Sequence, residues 1–251
     1  MSIFVHLNRI TMPAKLSVNI NKWATIRNAR GHNNPDLIKT ATDIQNFGGQ
    51  GITIHPRPDE RHIRYEDARL LRSVVHTEFN IEGNPIQSFI DLVLEVKPEQ
   101  VTLVPDAPDA ITSDSGWDCK KHSEFLTEVI TTFKKEGIRT SIFLDANPEM
   151  VDAAAKTGTD RIELYTEPYA SAYSSNPTKA IEDFIATAKK ADQLGLGVNA
   201  GHDLALENIA FFAKSIPNLL EVSIGHALIC EAIYLGLDNV VNQYLHRLQN
   251  P

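Results

Sequence analysis

Gly51-Ile52-Thr53-Ile54-His55-Pro56-Arg57-Pro58-Asp59-Glu60-Arg61-His62-Ile63 changes character halfway along. Residues 51–55 form a short β-branched run, as a buried strand should. After His55, two prolines end strand pairing and the chain turns to arginine, aspartate and histidine. An apolar rod therefore ends in a dense group of cationic and titratable side chains.

The flanking chain repeats this design. Upstream, residues 15–20 read as a first strand, trailed by Asn19, Asn21, Lys22, Arg27, Asn28 and Arg30. Asn34-Pro35 then reads as an N-cap with proline at the first helical position, and Leu37, Ile38, Ala41, Ile44 and Phe47 recur at helical spacing until Gly48-Gly49. Downstream, a helix is predicted over 65–75 and a strand over 78–81 ending at Glu82. Asn84-Pro85 opens the next helix, and a strand over 101–104 runs into a polar loop, 105–117. A helix over about 118–135 leads to a strand over 140–144, ending at Asp145. Asn147-Pro148 starts another helix, and residues 161–165 form a strand carrying Glu163. Asn176-Pro177 opens a helix reaching about 194. A strand over 197–199 continues into Ala200-Gly201-His202. After a helix over 206–216, a strand over 220–224 meets Gly225-His226 and a last helical region, 227–248, broken near Gly236.

Strand and helix alternate eight times at roughly 30 residues per unit, the pattern of an α/β chain folded as a (β/α)8 TIM barrel. A doubly wound open sheet is the competitor, but no glycine-rich dinucleotide fingerprint follows the first strand.

The totals limit the function classes. A net charge of -8 across 251 residues argues against a nucleic-acid partner while leaving room for a local basic pocket. No apolar run approaches the ~20 residues of a membrane span. Cys119 and Cys230 lack metal-ligand spacing and read as reduced thiols of a cytoplasmic chain. Residues 1–14 are expected to be an extension ahead of a single domain. Residues 1–11 lack the apolar core and cleavage site of a signal peptide.

In a (β/α)8 barrel the active site forms where the strands end. Here those ends supply Asn19, Asn21, His55, Arg57, Glu82, Asp145, Glu163, His202 and His226. Polar residues at loop starts are common, so Glu82 has an alternative as a helix cap, and Asp145 more readily serves its own Asn-Pro turn. Together, however, imidazoles that titrate near neutrality and buried carboxylates shifted towards it make an acid–base set. Arg27, Arg30, Arg57 and Arg61 near one mouth suggest an anionic, phosphorylated substrate. The competing reading pairs them with Asp59 and Glu60. Gly225-His226 before a helix adds a second anion signal.

Several strings resemble one family. Ala24-Thr25-Ile26-Arg27-Asn28-Ala29-Arg30-Gly31, Gly51-Ile52-Thr53-Ile54-His55, Arg61-His62-Ile63, Val198-Asn199-Ala200-Gly201-His202 and Ile224-Gly225-His226-Ala227 are similar to pyridoxine 5′-phosphate synthases, in order from about Leu16 onward. The resemblance implies a barrel with additional helices, a homo-octamer built from dimers, and no metal or organic cofactor. It implies a transferase that condenses 3-amino-2-oxopropyl phosphate with 1-deoxy-D-xylulose 5-phosphate to give pyridoxine 5′-phosphate, phosphate and water. By position it implies His55 and Glu82 as proton acceptors and His202 as proton donor. It places Asn19, Arg30, Asp203, Gly225 and His226 on the aminoketone phosphate. Asn21, Lys22, Arg57, His62 and Thr112 fall on the sugar phosphate, with Glu163 in a supporting role.

The chain departs from the family at Asn21-Lys22, where many members have Asp-His, at Asp203 in place of glycine, and at Tyr165-Thr166-Glu167 in place of His-Thr-Gly. Three other readings compete. One is a metal-dependent sugar-phosphate isomerase or hydrolase using His55, Glu82, His202 and His226. Another is a Schiff-base aldolase built on Lys22. The last is a phosphometabolite-binding protein without turnover. The loop 104–117 is the expected lid.

Overall fold

The computed structural model describes residues 13–106, 113 and 115–251. Within them eight parallel strands close into a barrel in chain order: β1 (Lys15–Asn19), β2 (Gly51–Ile54), β3 (Glu78–Gly83), β4 (Gln100–Leu103), β5 (Arg139–Leu144), β6 (Arg161–Tyr165), β7 (Gly197–His202) and β8 (Leu219–Ile224). Closure is direct, since β8 pairs with β1 and sets Ile224 opposite Val18. The open-sheet alternative is therefore excluded.

Around the barrel lie α1 (Asn21–Asn28), α2 (Leu37–Asn46), α3 (Tyr65–Arg72), α4 (Gln87–Val96), α5 (Ser123–Lys135), α6 (Pro148–Lys156), α7 (Glu167–Tyr173), α8 (Pro177–Ala180), α9 (Glu182–Gln193), α10 (Ile209–Ser215), α11 (His226–Leu235) and α12 (Leu237–Gln249). Some crossovers thus carry more than one helix, in keeping with the expected additions. None of the described helices is long and apolar enough to cross a membrane.

Period-two alternation builds the barrel wall. Ile52, Ile54, Phe79, Ile81, Val101, Leu103, Ile142, Leu144, Ile162 and Leu164 are all fully buried within the core that packs strands against helices. Each such side chain contributes about 1.5–3 kcal/mol on burial. The intervening residues point inward and, Phe143 apart, are mostly polar. Ser17 Oγ lies 2.7 Å from Thr53 Oγ1, Thr102 Oγ1 donates to Asn80 Oδ1 at 3.2 Å, and Asn199 Nδ2 donates to Gln100 Oε1 at 3.4 Å. Towards the N-terminal rim, Glu78 pairs with Arg139 and is approached by Lys15 at 3.7 Å and Arg161 at 3.8 Å. A polar lumen of this kind supports a stack of carboxylates leading up to the mouth.

Only two of the four Asn-Pro signals open their helices as expected. Asn147 accepts from Glu149 N ahead of α6, and Asn176 accepts from Lys179 N ahead of α8. Elsewhere the asparagine is not the cap. Asp36 caps α2, its carboxylate accepting from Ile38 N and Lys39 N, and the Asn34-Pro35 peptide before it is cis. Asn84 instead donates from Nδ2 to Asp106 O at 2.7 Å, and α4 begins later, at Gln87. Strand β7 is also longer than its apolar run, reaching His202.

Candidate active site

The strand ends bring most of the nominated residues to the C-terminal mouth. A short relay joins two of them. Asn19 Oδ1 accepts from Asn21 N at 3.0 Å, and Asn21 Oδ1 accepts from His55 N at 2.9 Å. The end of β1 thereby fixes the residue that follows β2.

Arg57 is the electrostatic centre. It is buried and ion-paired with Asp106, whose carboxylate also accepts from the Ser113 hydroxyl at 2.7 Å. Burial first, and then the Arg57 charge, hold His202 down at about 4. His55 is lowered by burial, then by Arg57, His62 and His202. His62 falls to about 4 through burial, Arg57, Arg61 and Lys22, against a small opposing pull from Asp59. At neutral pH all three imidazoles are therefore neutral. The imidazoles of His55 and His62 stand 6.4 Å apart, centre to centre.

Carboxylates lie beneath them on the barrel wall. Glu82 is buried on β3, opposite Thr102 of β4. Burial and then Glu163, Asp106 and Glu221 push its carboxyl well above the usual range, with Arg57 opposing. Glu163 on β6 is buried and raised by desolvation to about 7, although Thr102 Oγ1 donates to its Oε2 at 3.3 Å. Glu82 and Glu163 therefore form a graded pair that holds protons where isolated carboxylates would not.

His202 occupies a strained position. It has φ +67°, the left-handed region that a non-glycine residue enters at a cost. Its ring packs 5.0 Å from Phe143 and 5.6 Å from Tyr165, the latter nearly perpendicular at 89°. The Thr166 hydroxyl donates to the Gly201 carbonyl just before it. Glycine is needed at 201, because a Cβ there would lie 2.8 Å from Ser223 O and 3.0 Å from Glu163 Oε1.

A helix N-terminus completes the mouth. Gly225 is the N-cap of α11, so backbone N–H groups and the positive helix end face outward there. A Cβ on Gly225 would sit 3.1 Å from that of Asn19, which ties the helix end to β1. His226 is exposed at the first turn, its Nε2 3.6 Å from Cys230 Sγ. Asp203 is partly exposed close by, its carboxyl raised by partial desolvation and then by Glu167, with His226 opposing. Arg30 and Lys22 are exposed on and just beyond α1.

Other expectations change. Arg27 is no anion ligand. Its guanidinium is spent on Asp67, at 2.6 and 2.8 Å. Arg61 pairs with Asp59 at 3.3 Å, as the competing reading had it. Asp145 serves its own Asn-Pro turn through its carbonyl, which accepts from Asn147 N at 2.7 Å, while its carboxylate accepts from Gly116 N at 3.2 Å. Thr112 and much of the expected lid lie outside the described residues. Sequence reasoning missed Asp106, Phe143 and Tyr165. A buried Arg57 demands a counter-charge, and that demand is the one signal that would have pointed to Asp106. Among the described residues, no three His, Cys, Asp or Glu side chains converge as metal ligands.

Known proteins match the chain along nearly its whole length. The family model described as "Pyridoxal phosphate biosynthesis protein PdxJ" matches residues 16–250. The chain is 67% identical over 235 residues to a pyridoxine 5′-phosphate synthase of Flavobacterium johnsoniae, covering 94% of this chain and 99% of the relative. It is 62% identical, with the same coverage, to one from Cytophaga hutchinsonii. Among solved structures, 3-keto-L-gulonate-6-phosphate decarboxylase from Vibrio cholerae superposes with a TM-score of 0.64 at 10% identity, covering 94% of this chain and 98% of that one. That likeness concerns the barrel alone.

Proposed function

The chain belongs to the pyridoxal phosphate biosynthesis protein PdxJ family, and from that membership we propose how its residues carry out pyridoxine 5′-phosphate synthesis. The reaction condenses 3-amino-2-oxopropyl phosphate with 1-deoxy-D-xylulose 5-phosphate, giving pyridoxine 5′-phosphate, phosphate and water. The observation that carries the reading is that one buried cation, Arg57, acts on His55, His62, His202 and Glu82 together. Groups that feel one guanidinium to this degree share one cavity.

The aminoketone phosphate is held by Asn19, Arg30, Gly225 and His226 at the head of α11, with Asp203 contacting it through its backbone. The sugar phosphate is held by Asn21, Lys22, Arg57, His62 and Thr112. The amine attacks the sugar ketone, and water leaves to form an imine. A proton next to that imine is then removed, which lets the sugar's phosphate depart. A further enolisation, ring closure and dehydration give the aromatic product.

His55 is neutral and ready as a base. Glu82 carries a proton in the free protein and becomes a base once a cationic amine or iminium lies beside it, since that charge lowers its pKa. Glu163 buffers Glu82 from below. His202 donates towards departing oxygens. Arriving phosphate dianions offset Arg57 and bring the His202 imidazolium within reach of neutral pH. Incubation with both phosphorylated substrates tests the reading. A pyridoxine chromophore with equal release of phosphate is expected, and no chromophore would defeat it.

The assembly belongs to the same proposal, a homo-oligomer of the octameric type in the cytoplasm. Ile233 and Tyr234 near the end of α11 are 71% and 88% exposed, and Ile26 of α1, which packs against α11, is 48% exposed. Apolar groups so placed are suited to burial against a second copy. Cys119 and Cys230 are both free thiols, in keeping with a reducing compartment. Light scattering of the purified protein tests the assembly, with a monomer at micromolar concentration counting against it.

A further inference from the structure

Arg27 and Asn28 lie in the string that carried much of the family resemblance, yet neither is assigned a contact with substrate. Both sit on α1 and reach across to the loop that returns from β2 to α3. Arg27 Nη1 and Nη2 donate to the two Asp67 carboxylate oxygens at 2.6 and 2.8 Å. Arg27 Nη2 also donates to His62 O at 3.1 Å. Asn28 Nδ2 donates to Arg61 O at 3.1 Å and to His62 O at 2.9 Å. Asn28 Oδ1 in turn accepts from Arg27 Nε at 3.0 Å and Arg64 Nη2 at 3.1 Å. Arg27 and Asp67 are buried, so the bonds are made away from bulk water, where they are strong and costly to lose.

Two donors on the His62 carbonyl fix the peptide plane between residues 62 and 63. That plane aims Ile63 N at His62 Nδ1, to which it donates at 2.8 Å. An accepting Nδ1 leaves the ring proton on Nε2, so the imidazole offers an N–H donor in a set direction.

We propose that Arg27, Asn28 and Asp67 form a positioning bracket that sets the orientation and tautomer of His62 for the sugar-phosphate subsite. The proposal rests on the assignment of His62 to that substrate. None of the three is a catalytic residue, since each acts through the loop.

The test uses Asn28→Asp, which keeps the shape and the acceptors but loses both bonds to the loop carbonyls. Arg27→Lys serves as a second variant that keeps the charge opposite Asp67, and His62→Ala is the control. In Asn28→Asp, KM for 1-deoxy-D-xylulose 5-phosphate should rise about 10-fold, with KM for the aminoketone phosphate and kcat changed less than about 2-fold. The His62 ring resonance, held down at about 4 by burial and Arg57, should titrate higher in both variants; Arg27→Lys adds no negative charge, so a rise there reports that Ile63 N no longer holds Nδ1 as an acceptor. Arg27→Lys should move both readouts in the same direction by a smaller amount. Equal rises in both KM values, or an unmoved His62 titration in folded variants, would overturn the bracket. If His62→Ala leaves the sugar-phosphate KM unchanged, the subsite assignment fails instead, and the titration alone judges the bracket.

Discussion

Arg57 and Asp106 form an ion pair in which each side chain is only 4% exposed, and the Arg57 charge reaches His55, His62, His202 and Glu82. The cation lowers the imidazoles and eases Glu82, while Asp106 pushes Glu82 up. Burial first, and this pair after it, set the resting charge of the site: neutral imidazoles and a protonated Glu82. That state suits the entry of two phosphate dianions, which need cations and donors but would be repelled by extra carboxylates.

Removing one partner of this pair should be costly. Asp106→Asn leaves Arg57 buried and uncompensated, a change that typically destabilises by about 3–5 kcal/mol. A fall of that size in urea unfolding is expected at pH 7. Added inorganic phosphate should recover part of it by supplying a replacement anion. A loss below about 1 kcal/mol would mean that water compensates the guanidinium already.

Phosphate should also raise the depressed imidazoles. His62 and His202 titrate at about 4 in the free protein, through burial and through Arg57. A dianion on Arg57 cancels that cause and leaves burial, with Arg61 and Lys22 still acting on His62, so both midpoints should rise by roughly 1–2. Histidine ring resonances followed from pH 3.5 to 8, with and without 1-deoxy-D-xylulose 5-phosphate, measure this. Midpoints that stay put would place the phosphate away from Arg57.

The strand ends led to most of this site from sequence, because each stave stops at a polar residue and the fold gathers those stops. His55, Glu82, His202 and the Gly225-His226 turn were all legible in that way. What escaped depends on partners distant in the chain. Asp106 reads as part of a polar loop until Arg57, 49 residues earlier, is placed against it. Helix α1 was hidden because a buried arginine, Arg27, occupies its inner face beside Trp23 and Ala24, so the apolar period is broken. The Asn-Pro starts failed at 34 and 84 for a local reason. A nearby carboxylate makes the better cap in one case, and the asparagine is spent on Asp106 in the other.

Glu163 should make stability depend on pH. Its folded-state value is raised from 4.5 to about 7 by burial. Between those values the folded chain holds a proton that the unfolded chain has lost. Its contribution is thus fully present below pH 4.5 and is lost as pH rises through 7, a difference on the order of 3 kcal/mol. Glu163→Gln does not titrate. The variant should gain on the parent by about that amount between pH 4.5 and 8 in denaturant unfolding, and Glu82, relieved of its neighbour, should add in the same direction. A gap that does not widen with pH would show Glu163 ionised at low pH.

Glu82 offers the most direct test of the chemistry. It lies on β3 opposite Thr102 of β4, and its carboxyl is held protonated by burial and by three other carboxylates. A group in that state binds nothing by charge. In the proposed reaction its value lies in giving up and regaining a proton as positive charge forms on the substrate nitrogen. Glu82→Gln keeps the volume and the hydrogen-bonding shape but removes the titration. The substitution should therefore spare substrate binding, with both KM values within about 3-fold, and lower kcat by about 10²–10⁴-fold, as expected for loss of a general base. Phosphate release and product absorbance, measured together, separate an early from a late block. If phosphate is still released while the chromophore fails to form, Glu82 acts in ring closure; if neither appears, it acts on the proton beside the imine. Near-normal turnover would pass the base role to His55 alone.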